Sequence, residues 1–254
     1  MARTDVRLRG RLPTTFVIGM CVLCSATGAQ AGPPLISDDP NTVGAGVALP
    51  ILATSAFHRA GGTLLRGPIL DLTVGLVESL DITFIASLEN RYTRAEDCAS
   101  WSSSGLFLPG LKWRFVGTEK ARAAFSPAFG IDTQSPRRPF FLLPVQAEFA
   151  VGALPWVLGF DLGYVPVIDD PDRWFVAPYV RAALNPGLSL LMELWMLGSG
   201  PGDAIDFGAS FGLNAGIAET RLRFLAALGP GFVSLGRDRV AVRAYLGVQY
   251  TFRP

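Results

Sequence analysis

Histidine and cysteine are almost missing from this chain, which has one histidine, His58, and three cysteines in 254 residues. Charge is sparse too, at 17% of residues against 50% hydrophobic. Each scarcity excludes something. Two cysteines, Cys21 and Cys24, fall in an N-terminal segment expected to be removed, which leaves Cys98 alone. One cysteine cannot form an intramolecular disulfide, and it cannot build a thiolate-rich zinc or iron–sulfur site. A lone histidine rules out a His-Glu-x-x-His metal helix, and no glycine loop of the phosphate-cradling kind is present, so no cofactor and no metal are expected. The net charge of +1 gives no electrostatic footprint for nucleic acid. Long apolar runs are also lacking after residue 31. The longest uncharged stretch there, Pro40 to Phe57, contains Asn41, Pro50, Thr54, Ser55 and glycines, and makes a poor transmembrane helix.

What the N-terminus does contain is an export signal. Arg3, Arg7, Arg9 and Arg11 stand against one acid, Asp5. An apolar stretch from Phe16 to Leu23 follows, and small residues lead to Ala29-Gln30-Ala31. This is the charged, apolar and A-x-A succession of a secretory signal, too short in its apolar part to span a bilayer. The expected organisation is a signal peptide at 1–31, a periplasmic N-terminal segment at 32–44 and a β-barrel at 45–254. Removing the first 31 residues takes four arginines and one aspartate from the +1 of the whole chain, leaving about −2. The segment 32–44 holds Pro33-Pro34 and Asp38-Asp39-Pro40 and is no regular strand. It either hangs in the periplasm, the commoner arrangement for a terminus, or tucks into the barrel as a plug.

The remaining sequence repeats with period two. Val242, Ala244, Leu246, Val248, Tyr250 and Phe252 fall on one face of a strand, and Arg243, Tyr245, Gly247, Gln249 and Thr251 on the other. Asp206, Gly208, Ser210 and Gly212 alternate in the same way with Phe207, Ala209 and Phe211, as do Gln146 and Glu148 with Val145 and Phe149. A soluble sandwich and a membrane barrel both alternate. Three features favour the barrel. The apolar faces carry aromatics, Trp113 and Phe115, Phe125 and Phe129, Trp156 and Phe160, which suit interfacial girdles. Twelve antiparallel strands are predicted, joined at one end by short turns such as Gly117–Lys120 and Gly152–Leu154, and at the other mostly by longer polar loops. Thr93–Ser104 is the longest of these. The chain closes on Tyr245-x-Gly247-x-x-Tyr250-x-Phe252, which resembles the C-terminal signal read by the outer-membrane insertion machinery.

Several stretches resemble the MetA-pathway of phenol degradation family, whose members are often labelled transporters. Gly32-Pro33-Pro34-Leu-Ile-Ser-Asp38-Asp39-Pro40 resembles the start of its mature proteins, though the acidic and aromatic residues that usually follow are missing here. Gly75-Leu-Val-Glu-Ser-Leu-Asp-Ile resembles a strand–turn–strand signature, and Leu111-Lys112-Trp113-Arg114-Phe115 a Leu-Lys-Tyr-Arg-Phe strand. Phe125 to Thr133, Gly208 to Gly231 and Ala244 to Phe252 follow in the family's order. The resemblance implies an outer-membrane barrel with a transport function.

The fold expected is therefore all-β, an antiparallel transmembrane barrel of about twelve strands in the cell outer membrane. Alternation directs Lys112, Arg114, Arg122, Glu148, Asp161, Arg181, Glu193, Asp206, Arg221, Arg223 and Arg243 to the lumen, where a charge avoids the roughly 2–4 kcal/mol cost of facing lipid at the midplane. Such a lining suits a pore or solute site that selects by charge; taken with the family resemblance, it implies passage of small, apolar or aromatic solutes. The alternative is a lumen plugged by ion pairs, with function in the outer loops. A remote third reading is a rim hydrolase built on His58 with Ser102, Ser103 or Ser104. Gly208-Ala-Ser210-Phe-Gly212 matches Gly-x-Ser-x-Gly by letter, but it lies inside an alternating strand with no helix behind it, so it reads as lumen-facing small residues. No enzyme activity is expected. The partners expected are membrane lipid, the insertion machinery and an unidentified solute.

Overall fold

The computed structural model describes residues 38–59, 62–94, 99–133, 138–152, 155–185, 187–200, 205–217, 220–232 and 240–253. The proposed signal peptide at 1–31 and Cys98 lie outside the described residues. Among those described, no helix is long and apolar enough to cross a membrane, a criterion that says nothing of barrels.

The strands are β1 (Ala48–Arg59), β2 (Gly62–Val77), β3 (Leu80–Arg94), β4 (Ala99–Gly117), β5 (Ala121–Phe125), β6 (Ala128–Asp132), β7 (Arg138–Ala150), β8 (Trp156–Val165), β9 (Arg173–Asn185), β10 (Leu188–Ser199), β11 (Asp206–Gly216), β12 (Leu222–Phe232) and β13 (Val240–Tyr250). Neighbours in sequence are neighbours in space, all antiparallel, and β1 pairs with β13 from Ile51↔Gln249 to Arg59↔Ala241. The sheet thus closes on itself and has no free edge. β5 and β6 are halves of one wall position, since each pairs with β4 on one side and β7 on the other. The wall therefore has twelve positions, as the alternation predicts.

The break between β5 and β6 falls at Ser126-Pro127. Proline has no N–H to give to a ladder. The neighbouring strands still use what remains: Leu111 N–H donates to the Pro127 carbonyl at 2.9 Å and Ser126 N–H to the Pro144 carbonyl at 3.1 Å. Periodicity could not show this, because Phe125 and Phe129 keep their outward phase on either side of the break.

One loop expectation is corrected. Thr93–Ser104 is not a long loop, because β3 and β4 stay paired as far as Arg94↔Ala99, through Glu89↔Ser104 and Tyr92↔Trp101. Both faces of this part of the hairpin are open to the surroundings, so Ser100 to Ser104 form a strand without alternation.

Faces follow the period. Outward residues such as Trp113, Phe115, Trp156, Leu246 and Phe252 are about half exposed. Aromatic pairs sit toward both ends of the strands. Trp113–Phe115 and Tyr250–Phe252 lie at the end that carries both termini, and Tyr92–Trp101 and Phe207–Phe232 at the opposite, loop end. Inward residues are buried. Toward the loop end they form an apolar cluster of Leu106, Leu108, Phe140, Leu142, Phe175, Trp195 and Leu197, with Phe57 packed against it. Glycines make room for the rings: a Cβ on Gly163 would meet Phe175 at 1.9 Å, and one on Gly130 would meet Phe140 at the same distance. A ring therefore lies across a bare stretch of the next strand, which is one use of a strand glycine.

Candidate functional site

The other half of the lumen is polar, and the chain's own N-terminal segment occupies it. Of the two arrangements open to residues 32–44, the described part takes the second: Asp38 and Asp39 are each 5% exposed, enclosed by the wall rather than hanging below it. β3 and β4 supply the first anchor. Their register sets Lys112 opposite Asp81, both inward. The Lys112 ammonium pairs with the Asp38 carboxylate and donates to the Asp39 carbonyl at 3.0 Å, while Asp81 accepts the Val43 N–H at 3.0 Å. Lys112 is 1% exposed, so an unpaired ammonium there would be costly.

β7, β8 and β9 supply the second anchor. Arg181 bridges Asp39 at 3.2 Å and Glu148 at 2.8 Å. Glu148 also accepts from the Tyr179 hydroxyl at 2.9 Å and from Asn41 Nδ2 at 3.5 Å, with Arg122 3.8 Å away. Asp161 on β8 accepts the Asp38 N–H at 3.2 Å. At the mouth, Thr42 Oγ1 donates to the Glu78 carbonyl at 2.6 Å and Arg114 Nη2 donates to the same carbonyl at 2.7 Å. Each of these bonds between residues 38–43 and the wall involves a side chain, so the segment is held by charges and hydrogen bonds and not by a sheet ladder.

The eleven lumen candidates divide by depth. Lys112, Glu148, Asp161, Glu193, Asp206 and Arg243 are buried inside. Arg114, Arg122, Arg181 and Arg223 are half-buried toward the terminal end, and Arg223 Nε donates to Asn214 Oδ1 at 2.6 Å. Arg221 is exposed at the rim. The structure brings Lys112, Glu148, Asp161, Arg122 and Arg181 into one network around residues 38–43. A second inward pair, Arg66 with Glu89, lies nearer the loop end. Of the terminal motif, Tyr245 and Gly247 face inward while Tyr250 and Phe252 face outward, as the alternation expects.

Sequence reading left Asp38, Asp39 and Asn41 open between periplasm and lumen, and it missed Tyr179 as a lumen residue. Two adjacent acids in an otherwise apolar stretch were the available signal for the first two, because they need partners that only a basic lumen supplies. The residues of the hydrolase reading do not meet. His58 Nδ1 lies 2.8 Å from Thr63 Oγ1, and Ser103 donates to Asn90 at 2.8 Å. His58 is on β1 and Ser103 on β4, with β2 and β3 between them.

A closed antiparallel barrel of twelve positions, apolar outside and charged within, has the architecture of outer-membrane barrels and their channels. Among solved structures the chain is similar to the COG4313 outer membrane channel from Pseudomonas putida F1, at 12% identity and a TM-score of 0.62, covering 85% of this chain and 99% of that one. It is also similar to the translocator domain of the autotransporter NalP from Neisseria meningitidis (9%, 0.59, covering 82% and 90%) and to the NanC porin (10%, 0.54, covering 79% and 98%). At these identities the likeness is one of fold. No family model matches the chain, and no curated protein matches it.

Proposed function

We propose that this chain is an outer-membrane channel for small apolar or aromatic solutes, with residues 38–43 seated in its lumen as a removable plug. The terminal end would then face the periplasm and the loop end the exterior. The carrying observation is that the lumen's occupant is held by side-chain ion pairs and hydrogen bonds and not by the sheet. Displacing it leaves the closed wall intact. The apolar cluster of Phe140, Phe175, Trp195 and Leu197 beyond the plug suits solutes of that character. Membership of the MetA-pathway family, export by the signal at 1–31 and insertion through Tyr245, Gly247, Tyr250 and Phe252 belong to the same proposal, supported by the motifs that carry them. The reading contains no catalytic step.

The test is single-channel conductance of the mature protein in a planar bilayer, once a heat-modifiable gel band has confirmed a folded barrel. Discrete, salt-dependent steps are expected, rare in the intact chain and frequent after deletion of residues 32–43. Liposome swelling with small aromatic solutes should follow the same order. A folded barrel that stays silent in both forms rejects the channel and favours the second reading, a filled barrel that acts through its outer loops. The burial of Phe175 and Trp195, at 0% and 2% exposure, is the observation on that side.

A further inference from the structure

Residues 38–43 show by their own contacts what the polar half of the lumen recognises. The wall meets them with both signs of charge, spread over one arc from β3 to β9. Its bases take the segment's acceptors. Lys112 on β4 pairs with the Asp38 carboxylate and donates to the Asp39 carbonyl at 3.0 Å, and Arg181 on β9 donates to Asp39 Oδ2 at 3.2 Å. Its acids take the segment's donors. Asp161 on β8 accepts the Asp38 N–H at 3.2 Å, Glu148 on β7 accepts from Asn41 Nδ2 at 3.5 Å, and Asp81 on β3 accepts the Val43 N–H at 3.0 Å. Lys112, Asp81, Glu148 and Asp161 are buried, and Arg122 on β5 stands 3.8 Å from Glu148. The segment turns as it crosses the arc, because Asp39 Oδ1 accepts the Asn41 N–H at 2.9 Å across Pro40. A purely anionic occupant would satisfy Lys112 and Arg181 but set its charge against Asp161 and Asp81. What fits both signs is a carboxylate and an amide N–H on the same residue, as Asp38 carries them.

None of these contacts uses the segment's connection to β1, so the same groups on a separate molecule can make them. When the segment leaves, as the channel reading requires, Lys112 and Asp161 each lose a partner in a buried setting, which is costly. A solute that brings the same groups offsets that cost, and a purely apolar one does not. We propose that this arc of the lumen is a binding site for acidic peptide-like solutes, short acidic peptides and N-acylated acidic amino acids, with the N-terminal segment as its tethered occupant. The apolar cluster beyond, with Phe175 and Trp195, receives the apolar part of such a solute. A short tether gives the resident segment an effective concentration on the order of millimolar. A free solute competes against that, so weakening the segment's own hold raises the affinity measured for a solute added from outside.

The probe is an acetylated hexapeptide of the sequence 38–43 with a fluorophore at its C-terminal end, followed by anisotropy against the folded full-length mature protein. The receptor is that chain with Asp38→Asn and Asp39→Asn, which keeps the segment's size and removes both its charges. Saturable binding is expected, at least tenfold tighter than to the unaltered chain. Adding Lys112→Met or Arg181→Gln to that variant should weaken the binding at least tenfold. A hexapeptide with asparagine in place of both aspartates should bind at least tenfold more weakly than the acidic one. Equal binding of the two peptides, binding that neither wall substitution alters, or no binding to the variant overturns the proposal. If the doubly altered chain gives no heat-modifiable band, Asp39→Asn alone carries the same comparison, since it leaves the Lys112–Asp38 pair in place. The channel is judged separately. A barrel that binds the acidic peptide and never conducts keeps the site and rejects the channel, whereas one that conducts without distinguishing the peptides keeps the channel and rejects the site.

Discussion

Lys112 shows how much a single residue can decide here. It is buried, it pairs with Asp38, and it holds the Asp39 carbonyl, so it connects the wall to the plug twice. Removing one partner of a buried ion pair costs about 3–5 kcal/mol, because the other charge is left without compensation. Lys112→Met is therefore expected to release the segment, read as faster protease cleavage within residues 38–43 and a higher open probability in the bilayer. Unchanged cleavage and conductance would place the anchor elsewhere, at Arg181. The glycines argue from the opposite direction. At Gly163 a methyl group would overlap the Phe175 ring, and overpacking of this kind costs about 1–3 kcal/mol. Gly163→Ala should lower the temperature at which the gel band shifts, and Phe175→Leu in the same chain should restore part of the loss. Additive effects of the two changes would deny the contact.

Among the elements, what the sequence exposes and what it hides separate along one physical line. Wherever one strand face meets lipid and the other the lumen, the two environments differ enough to print a period of two, and β11 and β13 are legible residue by residue. Where both faces meet the same surroundings the print fades. That is why the β3–β4 hairpin runs further than its polar residues suggest, with Trp101 paired to Tyr92 and the ladder continuing to Arg94↔Ala99 inside the expected loop. It is also why the split at Ser126-Pro127 is silent, since the outward phase resumes unchanged on the far side. The candidate site was half visible. Alternation can say that Lys112, Glu148 and Asp161 point inward, but it carries no information about what they meet. Their partner is a segment without periodicity, whose Asp38 and Asp39 are found only through long-range contacts.

At the scale of the whole molecule, the lumen has two zones, an apolar one toward the loop end and a charged one holding residues 38–43. On the proposed channel reading, the N-terminal segment and not the wall is the element that sets conductance. Deleting residues 32–43 is expected to leave the folded band on the gel and to raise the frequency of openings. If the same deletion abolished folding, the segment would be part of the barrel's core and not a removable plug. The deletion also strips the docking partners from Lys112, Arg181 and Asp161 together, so its ion selectivity should respond to reversal of any of these charges, read as a shift in reversal potential under a salt gradient.

The β1–β13 seam has a consequence in heredity. The last strand is eleven residues long, a small part of the chain, yet it is the only partner β1 has on that side. A premature stop just before it would not yield a slightly shorter barrel. It would yield a sheet with two raw edges, β1 and β12, each offering unpaired backbone to any passing strand. Such a product is material for aggregation or for quality-control proteases. The chain's end should therefore tolerate substitutions that preserve its alternation, while tolerating almost no shortening. In a collection of random variants, missense changes along β13 would spread over a range of severities, whereas nonsense changes would all fall at one extreme.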